Sequence, residues 1–440
     1  MRNLSPDRVV FCVSAALLTF LYGFATSARQ WFPNDLLVQA WQQARAVTGR
    51  DDPGIRHFEK PLIHDFAGAR VTDEAAMQPG LTFISSRTRV DSKWLPQLAM
   101  MDAHGNVLHQ WPLDPSAVFA DAEEGHPAHN RDLEDVAVHG AHVLPNGDLV
   151  ANLSMLAAIR IDACGEIQWV LPERAHHSLV PAEDGTYWMS GLAAPDEELE
   201  FPGLGRPSMQ NTIVHATGDG EVLDEINVLD LLYSGGLAHV VAQSHDFYLD
   251  RKNDLTHLND VEPLGEEMAA DFPMFEPGDL LISLNGINLI LVFDPETREI
   301  RWHYSGTLVR QHDPDFLAGG WIGVFNNRRD NTERGEILGG TQILAIKPGT
   351  DSTRVLFPTE ASDVFYTDVL GKWQLLENGN VLLTEGVPGR LLEANAAGET
   401  VWEWVQATYD GMVPHVQEGT RYDLTPEDVA AWSCSTARTP

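Results

Sequence analysis

Histidine recurs at one kind of position in this chain, the opening of an apolar strand pattern. The residues concerned are His142, His177 with His176 directly before it, His257 and His312. A neutral imidazole can act as a nucleophile, a general base or a metal ligand, and a protonated one can act as a general acid. None of these histidines lies in a local ligand motif such as His-x-x-x-His, and no cysteine is nearby. We therefore predict no metal site, and the sequence also has no EF-hand pattern for calcium.

A histidine at a strand start more often makes a structural hydrogen bond than takes part in a reaction. We interpret His142 and His176 in this way. His177, His257 and His312 are the candidate catalytic residues. They can act together only if the fold brings the openings of their strands to one place.

An internal repeat would supply that fold. From about residue 80 onward an apolar strand, a turn of the type Asp-x-x-Gly and a second strand ending in a large apolar residue recur. The six copies are Met101–Trp111, Ile161–Trp169, Val214–Ile226, Val292–Trp302, Leu344–Phe357 and Leu392–Trp404. A second hairpin pattern lies between the copies. Two hairpins per repeat of about 50 residues predict four-stranded antiparallel blades, and six blades predict an all-β, six-bladed β-propeller.

In a propeller the innermost strands line a central channel, so residues that open these strands in different blades converge on one face. We expect Leu81–Ser85 to complete the last blade and close the ring, which removes an exposed sheet edge. The stretch Asp246–Phe275, rich in Asp, Glu, Pro and Met, lengthens the interval between the third and fourth copies. Such an insertion predicts a loop over one face, where function is commonly located.

The N-terminal segment Val9–Ala28 is uncharged and, at about 20 residues, long enough to cross a bilayer. Arg2 and Arg8 precede it, so the positive-inside rule predicts a cytoplasmic N-terminus and a propeller on the periplasmic or extracellular side. We favour an anchor over a cleaved signal because the apolar run exceeds the ~7–15 residues usual for a signal. Apolar spacing in Phe32–Arg45 predicts a short amphipathic helix. The predicted domains are an anchor at 1–30, a linker at 31–79, a propeller at 80–410 and a tail at 411–440.

Charge and cysteine content exclude several classes of protein. With 29 basic and 64 acidic side chains, the formal charge is 29 − 64 = −35, which argues against nucleic acid as a partner. Three cysteines, Cys12, Cys164 and Cys434, are too few for a disulfide scaffold or a Cys-rich metal site. The sequence leaves open whether Cys164 pairs with Cys434.

Four phrases carry a resemblance to a known family: Asp254–Leu264, Gly278–Trp302, Arg310–Asn327 and Asn378–Trp404. Together they resemble the bacterial arylsulfotransferase, or aryl-sulfate sulfotransferase, family. The resemblance implies a six-bladed propeller without a cofactor. It also implies transfer of a sulfuryl group from a phenolic sulfate ester to another phenol, without a nucleotide donor, through a sulfated histidine.

The family's motifs map onto individual residues of this chain. Its His-x-Asn motif matches His257 and Asn259, its Gln-His motif matches Gln311 and His312, and its earlier blade histidine best matches His177. The resemblance implies that His312 is the histidine that becomes sulfated.

The chain departs from the family pattern at two places. Asn285 stands where the family usually has an arginine, and Phe325–Asn327 reads Phe-Asn-Asn instead of Phe-Asp-Asn. An amide cannot supply the charge of a guanidinium that clamps an anion. Arg310 lies two residues before His312, on the same face if the strand extends that far, and is our candidate for the replacement cation. Arg390 is a second candidate.

Sulfuryl transfer resembles phosphoryl transfer, because charge spreads over the nonbridging oxygens and an in-line nucleophile is needed. We therefore predict that His312 attacks and His257 protonates the leaving oxygen, while Asn259 and His177 orient the group. A propeller that binds an extracytoplasmic ligand or protein and has lost catalysis is the alternative, which Asn285 supports. The phrase Asp294–Trp302 resembles a quinone dehydrogenase docking motif, but six repeats and the lack of a vicinal cysteine pair oppose that function.

Overall fold

The computed structural model describes residues 11, 14–23, 57–122, 126–172, 175–194, 197–205, 207, 209–247, 254–330 and 332–433. The chain divides into two compact units, Met1–His57 and Phe58–Pro440. In the first unit residues 14–23 are helical. Over the described residues, no helix combines the length and apolar character needed to span a bilayer. Most of the predicted anchor and all of the predicted helix at Phe32–Arg45 lie outside the described residues.

The described strands of the second unit form six antiparallel blades, which confirms the predicted propeller. Blades are numbered along the chain, and the strands of each blade are named from the innermost outward. Blade 1 is β27 (Glu418–Tyr422), β3 (Leu81–Val90), β4 (Lys93–Met101) and β5 (Val107–Gln110). Blade 2 is β6 (Val138–Val143), β7 (Leu149–Leu153), β8 (Ala157–Ile161) and β9 (Ile167–Leu171). Blade 3 is β10 (Leu179–Pro181), β11 (Tyr187–Leu192), β12 (Asn211–Ala216) and β13 (Val222–Asn227).

The second half of the ring follows the same order. Blade 4 is β14 (Leu258–Pro263), β15 (Leu280–Leu284), β16 (Leu289–Phe293) and β17 (Ile300–Tyr304). Blade 5 is β18 (His312–Leu317), β19 (Trp321–Asn326), β20 (Gln342–Lys347) and β21 (Ser352–Phe357). Blade 6 is β22 (Trp373–Leu375), β23 (Val381–Glu385), β24 (Arg390–Ala394), β25 (Thr400–Val405) and a fifth strand, β2 (Gly68–Val71). Innermost strands of neighbouring blades contact one another around the channel.

Both ends of the second unit take part in closing the ring. The C-terminal β27 pairs with β3, so the strand that begins at Leu81 belongs to the first blade and does not complete the last one as predicted. The strand β2 extends the outer edge of blade 6, and β1 (Glu59–Pro61) pairs with β26 (Met412–Pro414). Residues assigned to the linker and the tail therefore belong to the sheets.

The recurring sequence phrase has a local explanation in its turns. In the first copy the Asp102 carboxylate accepts the backbone N–H groups of His104 and Asn106, and Gly105 adopts a φ of +78°. Asp162 and Gly165 repeat this arrangement in the second copy. The aspartate satisfies turn donors that lack strand partners, and glycine adopts the left-handed conformation without steric cost.

Tryptophans near the ends of four copies tie one blade to the next. Indole N–H groups on or just beyond the fourth strands donate to the following blade: Trp111 to the Gly147 carbonyl (2.8 Å), Trp169 to Gly218 (3.1 Å), Trp302 to the Asp351 carboxylate (3.3 Å) and Trp402 to Ala103 (2.8 Å). A buried indole packs a large apolar area and still satisfies its donor. This contact explains why tryptophan recurs in the repeat.

The extra length between blades 3 and 4 contains regular structure. Helices α2 (Val228–Ser234) and α3 (Ala238–Phe247) follow blade 3, after the short α1 (Pro115–Val118) earlier in the chain, and α4 (Glu266–Ala269) follows β14. The predicted insertion therefore includes the innermost strand of blade 4 as well as loop. A final helix, α5 (Pro426–Ala430), follows β27. Cys164 is disulfide-bonded, and Cys434 lies outside the described residues.

Candidate functional site

Histidines from three blades meet at a cavity of about 310 Å³. Its lining consists of His177, His257, Asn285, Arg310, His312, Arg329, Asp368, Val369 and Leu370. A smaller cavity of about 40 Å³ also contacts His177 and His312 and adds Asn259 and channel residues. The structure thus brings together every predicted site residue except Arg390. A groove of about 990 Å³ between blades 3 and 4 is larger, but none of the predicted site residues lines it.

His312 opens β18 and is held by an amide. Its Nδ1 lies 2.7 Å from the Asn327 Oδ1, while the Asn327 Nδ2 donates to the carbonyls of Thr367 (3.0 Å) and Leu370 (2.6 Å). These two acceptors fix the amide with its oxygen towards the imidazole, so His312 carries its proton on Nδ1 and its lone pair on Nε2. Burial lowers the pKa of His312 to about 4, aided by the charges of His257 and Arg310 and opposed by hydrogen bonds to Asn327 and to the Arg310 backbone. The ring is neutral at neutral pH.

His257 is paired with a carboxylate. Its Nδ1 makes a very short contact with an Asp254 oxygen, three residues earlier in the chain. Burial disfavours the charged form of Asp254, but the His257 hydrogen bond and charge outweigh it, and the net effect lowers the pKa of Asp254. The carboxylate therefore accepts a hydrogen bond from the His257 Nδ1 and fixes the orientation of the ring.

His177 is packed between other histidines. Its ring centroid lies 4.8 Å from that of His257 and 4.5 Å from that of His139, and its Nδ1 contacts the Nδ1 of His176. The His176 Nε2 lies 3.1 Å from the Gly191 carbonyl, which can only accept, so His176 accepts from His177 through Nδ1. Burial, with the neighbouring histidines, lowers the pKa of His177 well below its ordinary value.

The histidine that blade 2 contributes to the cluster is His139, which the sequence analysis missed. It lines the smaller cavity beside His177, and burial lowers its pKa to about 3. The histidine noted in this blade, His142, lies near the end of β6, with its ring centroid 6.3 Å from that of Tyr422, and lines neither histidine cavity. The sequence feature that could have pointed to His139 is the glycine that follows it. Gly140 has a φ of +103°, and a Cβ there would lie 2.2 Å from the His177 carbonyl oxygen.

Two asparagines hold the backbone immediately before His312. The carbonyl of Gln311 accepts from the Asn259 Nδ2 (2.9 Å) and from the Asn285 Nδ2 (3.0 Å). The two amides fix the segment that carries the histidine from the side of blade 4. In place of the cation expected at position 285, the Asn285 Oδ1 accepts from the Arg310 guanidinium at 3.1 Å. Arg310 therefore brings positive charge beside Asn285 at the cavity.

The structure places Arg390 away from the histidine cavities and Arg329 at one of them. Arg390 was predicted as a second cation of the site, but its guanidinium is bound by Glu385 (2.8 Å) and Glu403 (3.4 Å) within blade 6 and lines neither cavity. It is a structural ion pair. Arg329, just beyond β19, lines the larger cavity and was not predicted.

Acidic residues line the channel next to the histidines. Asp260, Glu262, Asp313, Asp315 and Glu418 surround Lys372, which contacts Asp313 at 3.2 Å. Burial raises the pKa values of Asp260 and Asp315 well above the ordinary range and that of Glu262 to about 7, with neighbouring carboxylates contributing. For Lys372 the carboxylates outweigh burial and raise the pKa. Across the described residues, no group of three or more His, Cys, Asp or Glu side chains has a metal-binding arrangement.

Comparisons with solved structures give distant similarities. A protein of unknown function from Bacteroides caccae has a TM-score of 0.47 at 12% identity, with 77% of this chain and 98% of that chain covered. A virginiamycin B lyase from Staphylococcus aureus gives 0.36 at 14%, covering 62% and 71%, and a streptogramin B lyase gives 0.40 at 11%, covering 77% and 88%. Similarities this weak carry no functional argument.

A family model gives the informative match. No curated protein sequence matches the chain significantly. The model described as Arylsulfotransferase (ASST) matches residues 142–407, more than half of the chain, and this range contains His177, His257 and His312. The chain therefore belongs to the arylsulfotransferase family.

Proposed function

We propose that this protein transfers a sulfuryl group between phenolic compounds through a covalent intermediate on His312. The observation that carries the proposal is that His312 is a neutral imidazole whose Nδ1 is hydrogen-bonded to Asn327. His312 lines a cavity that is also lined by Arg310 and His257. The Nε2 lone pair can then form a bond to a sulfur atom, and the Arg310 guanidinium, which also donates to Asn285, lies at the same cavity to bind the sulfuryl oxygens.

The proposed reaction has two halves. In the first, the His312 Nε2 forms a bond to sulfur while the bond between sulfur and the aryl oxygen breaks, and the departing phenolate takes a proton from the His257 Nε2. In the second, an acceptor phenol gives its proton to His257 and attacks the same sulfur, which releases neutral His312. Atoms and charge balance without a cofactor, and Arg310 offsets the charge on the transferred group.

Asp254 and Asn327 give the two histidines different roles. In the proposed mechanism the Asp254 carboxylate offsets the positive charge of His257 while that ring carries the proton to be donated, whereas the neutral Asn327 amide offers His312 no such charge. The partners thus separate an acid from a nucleophile, although both side chains are imidazoles.

Replacement of His312 tests the proposal. The full chain should transfer the sulfuryl group of 4-nitrophenyl sulfate to phenol, and His312→Ala should abolish this turnover. His142→Ala is the matched control, since His142 lines neither histidine cavity, and it should remain active. Mass spectrometry of base-quenched protein after a donor pulse should find one added SO3 on the peptide containing His312. Normal turnover by His312→Ala would refute the assignment.

A catalytically inactive binding module is the second candidate. The observation in its favour is Asn285, which leaves the site with one fewer cation than the family pattern. If the protein is such a binding module, the wild type should bind aryl sulfates but transfer no sulfuryl group to any phenol in a broad panel.

We also propose that Val9–Ala28 anchors the chain with the propeller on the periplasmic or extracellular side. The support is the uncharged run preceded by Arg2 and Arg8. A reporter fused after Pro440 should be active only outside the cytoplasm, and activity of a cytoplasm-dependent reporter there would contradict the topology.

A further inference from the structure

Arg329 lines the histidine cavity without a strong partner. Its closest carboxylate is that of Asp368, whose Oδ2 lies 3.9 Å from the Arg329 Nε. Both side chains are about one-third exposed, at 33% and 37%. Among the described residues Arg329 makes no hydrogen bond. An ion pair this long and this exposed to solvent contributes little free energy.

Other arginines of the propeller are bound much more closely. Arg390 has two glutamates and a carbonyl, Arg421 contacts Glu393 at 3.1 Å, and Arg160 contacts Asp148 at 2.7 Å. In a chain with more than twice as many acidic as basic residues, a guanidinium that faces a cavity with only a distant carboxylate is unusual. Its planar donors suit an anionic ligand.

The cavity contains two cations on different segments. Arg310 is held by Asn285 on the blade 4 side of His312, whereas Arg329 follows Asn327, the amide that orients His312. The proposed function assigns Arg310 to the sulfuryl group, and it gives Arg329 no role. The apolar part of the lining comes from Val369 and Leu370, which suits an aromatic ring. A volume of about 310 Å³ is at the low end of the ~300–1,000 Å³ usual for ligand pockets, so a single ring fits best.

We propose that Arg329 binds a second anionic group on the aromatic substrate, so that the substrates are monocyclic phenols bearing a carboxylate, together with their sulfate esters. This inference rests on the proposed function. Arg310 holds the sulfuryl end beside His312, and the carboxylate of the substrate replaces Asp368 as the partner of Arg329. Asp368 lies beside the guanidinium when the cavity is empty and competes only weakly with the ligand.

The test compares two acceptors that differ in charge, 4-hydroxybenzoate and 4-hydroxybenzamide, with 4-nitrophenyl sulfate as the donor. Wild type should favour the carboxylate in kcat/KM by about tenfold to a hundredfold, the range expected for charge-assisted hydrogen bonds. Arg329→Gln should bring this ratio close to one. Arg328→Gln is the matched control, because it removes the same charge from a neighbouring arginine that does not line the cavity. It should retain the ratio, and Asp368→Asn should increase it.

Calorimetric titration of the same two compounds into the full-chain proteins separates this inference from the proposed function. If wild type transfers no sulfuryl group but binds 4-hydroxybenzoate more tightly in a manner that Arg329→Gln abolishes, the subsite stands and the proposed function fails. Turnover without a preference for the carboxylate would overturn the subsite alone. An equal loss of preference in Arg328→Gln and Arg329→Gln would also overturn it, since the effect would then come from overall charge.

Discussion

The sharpest prediction concerns Asn327, because two substitutions there should move the pH dependence in opposite directions. The pKa of His312 is about 4, and the Asn327 hydrogen bond raises it against the effect of burial. Because the proposed nucleophile is the neutral ring, kcat/KM should fall as the pH decreases through this value. Asn327→Ala removes the hydrogen bond and should shift the acidic limb to lower pH. Asn327→Asp puts a negative charge beside Nδ1 and should shift the limb upward from about 4 by roughly 1–3 pH units.

Both variants also have a cost in stability. Asn327 is fully buried and makes three hydrogen bonds, so Asn327→Ala should lower the free energy of unfolding by roughly 3 kcal/mol, at about 1 kcal/mol per bond. Asn326→Ala is the control, because Asn326 is equally buried and bonds to Val309 and Thr307 but does not touch His312. It should lower stability without moving the acidic limb.

The assay is the pH profile of kcat/KM with 4-nitrophenyl sulfate, accompanied by thermal unfolding. Asn327→Ala should also have a lower plateau, because no acceptor then selects the Nδ1–H tautomer. The reasoning about His312 fails if the two Asn327 variants shift the limb in the same direction. It also fails if the Asn326 control shifts it as much as they do.

Two further predictions concern His257 and Lys372. His257→Ala should slow turnover of phenyl sulfate by ~10²–10⁴-fold. Turnover of 4-nitrophenyl sulfate should slow much less, because its leaving group hardly needs a proton. Equal losses in the steady-state rates with the two donors would contradict the role of His257 as an acid. Lys372→Met should destabilise the protein by ~2–4 kcal/mol at pH 8 and much less at pH 5. The dependence on pH follows from Glu262, whose pKa is raised to about 7 in the folded protein. The folded state therefore holds more protons than the unfolded state, and stability falls as the pH rises through about 7. The loss of the Lys372 cation should then matter most at pH 8, where Glu262 is ionised. Melting temperatures at both pH values test this, and equal losses would count against it.

The ring could be predicted because its repeat is local. Each hairpin is marked by alternating apolar residues and a turn, as at Asp102 and Gly105, and the number of copies gives the number of blades. The closing strand was assigned to the wrong blade because β27, at Glu418–Tyr422, has no recognisable copy of the phrase. Which end of the chain supplies the innermost strand is decided by pairing across more than 300 residues, and no local pattern reports it.

The positions of His257 and His312 could be predicted because each lies at the start of an innermost strand. His257 and His312 lie at the cavity because strand openings converge at the channel, as expected from the repeat. His139 was missed because the register shifts between Val138 and Ala141, and a bulge of this kind changes which residue faces the channel. Arg329 depends on a loop near Asp368, which no short-range pattern could bring to it.

The prediction that Arg390 is a cation of the site could have been corrected from the sequence. It pairs directly with Glu385 across the hairpin between β23 and β24, and such opposite residues interact. The sequence Glu385-Gly-Val-Pro-Gly-Arg390 places both charges at the two ends of a four-residue turn. That spacing favours an ion pair over a free anion ligand.

The charge distribution explains how an acidic protein can handle an anionic group. The formal charge of −35 repels sulfate esters, so the potential at the reacting atoms depends on a few local groups. Arg310 and Arg329 supply positive charge at the cavity that holds His312, while Asp260 and Asp313 line the adjoining part of the channel. Lys372 contacts the Asp313 carboxylate at 3.2 Å, and burial raises the pKa of Asp260 well above its ordinary range. In the proposed reaction, Arg310 and Arg329 attract the anionic sulfuryl group to the cavity that contains the His312 Nε2.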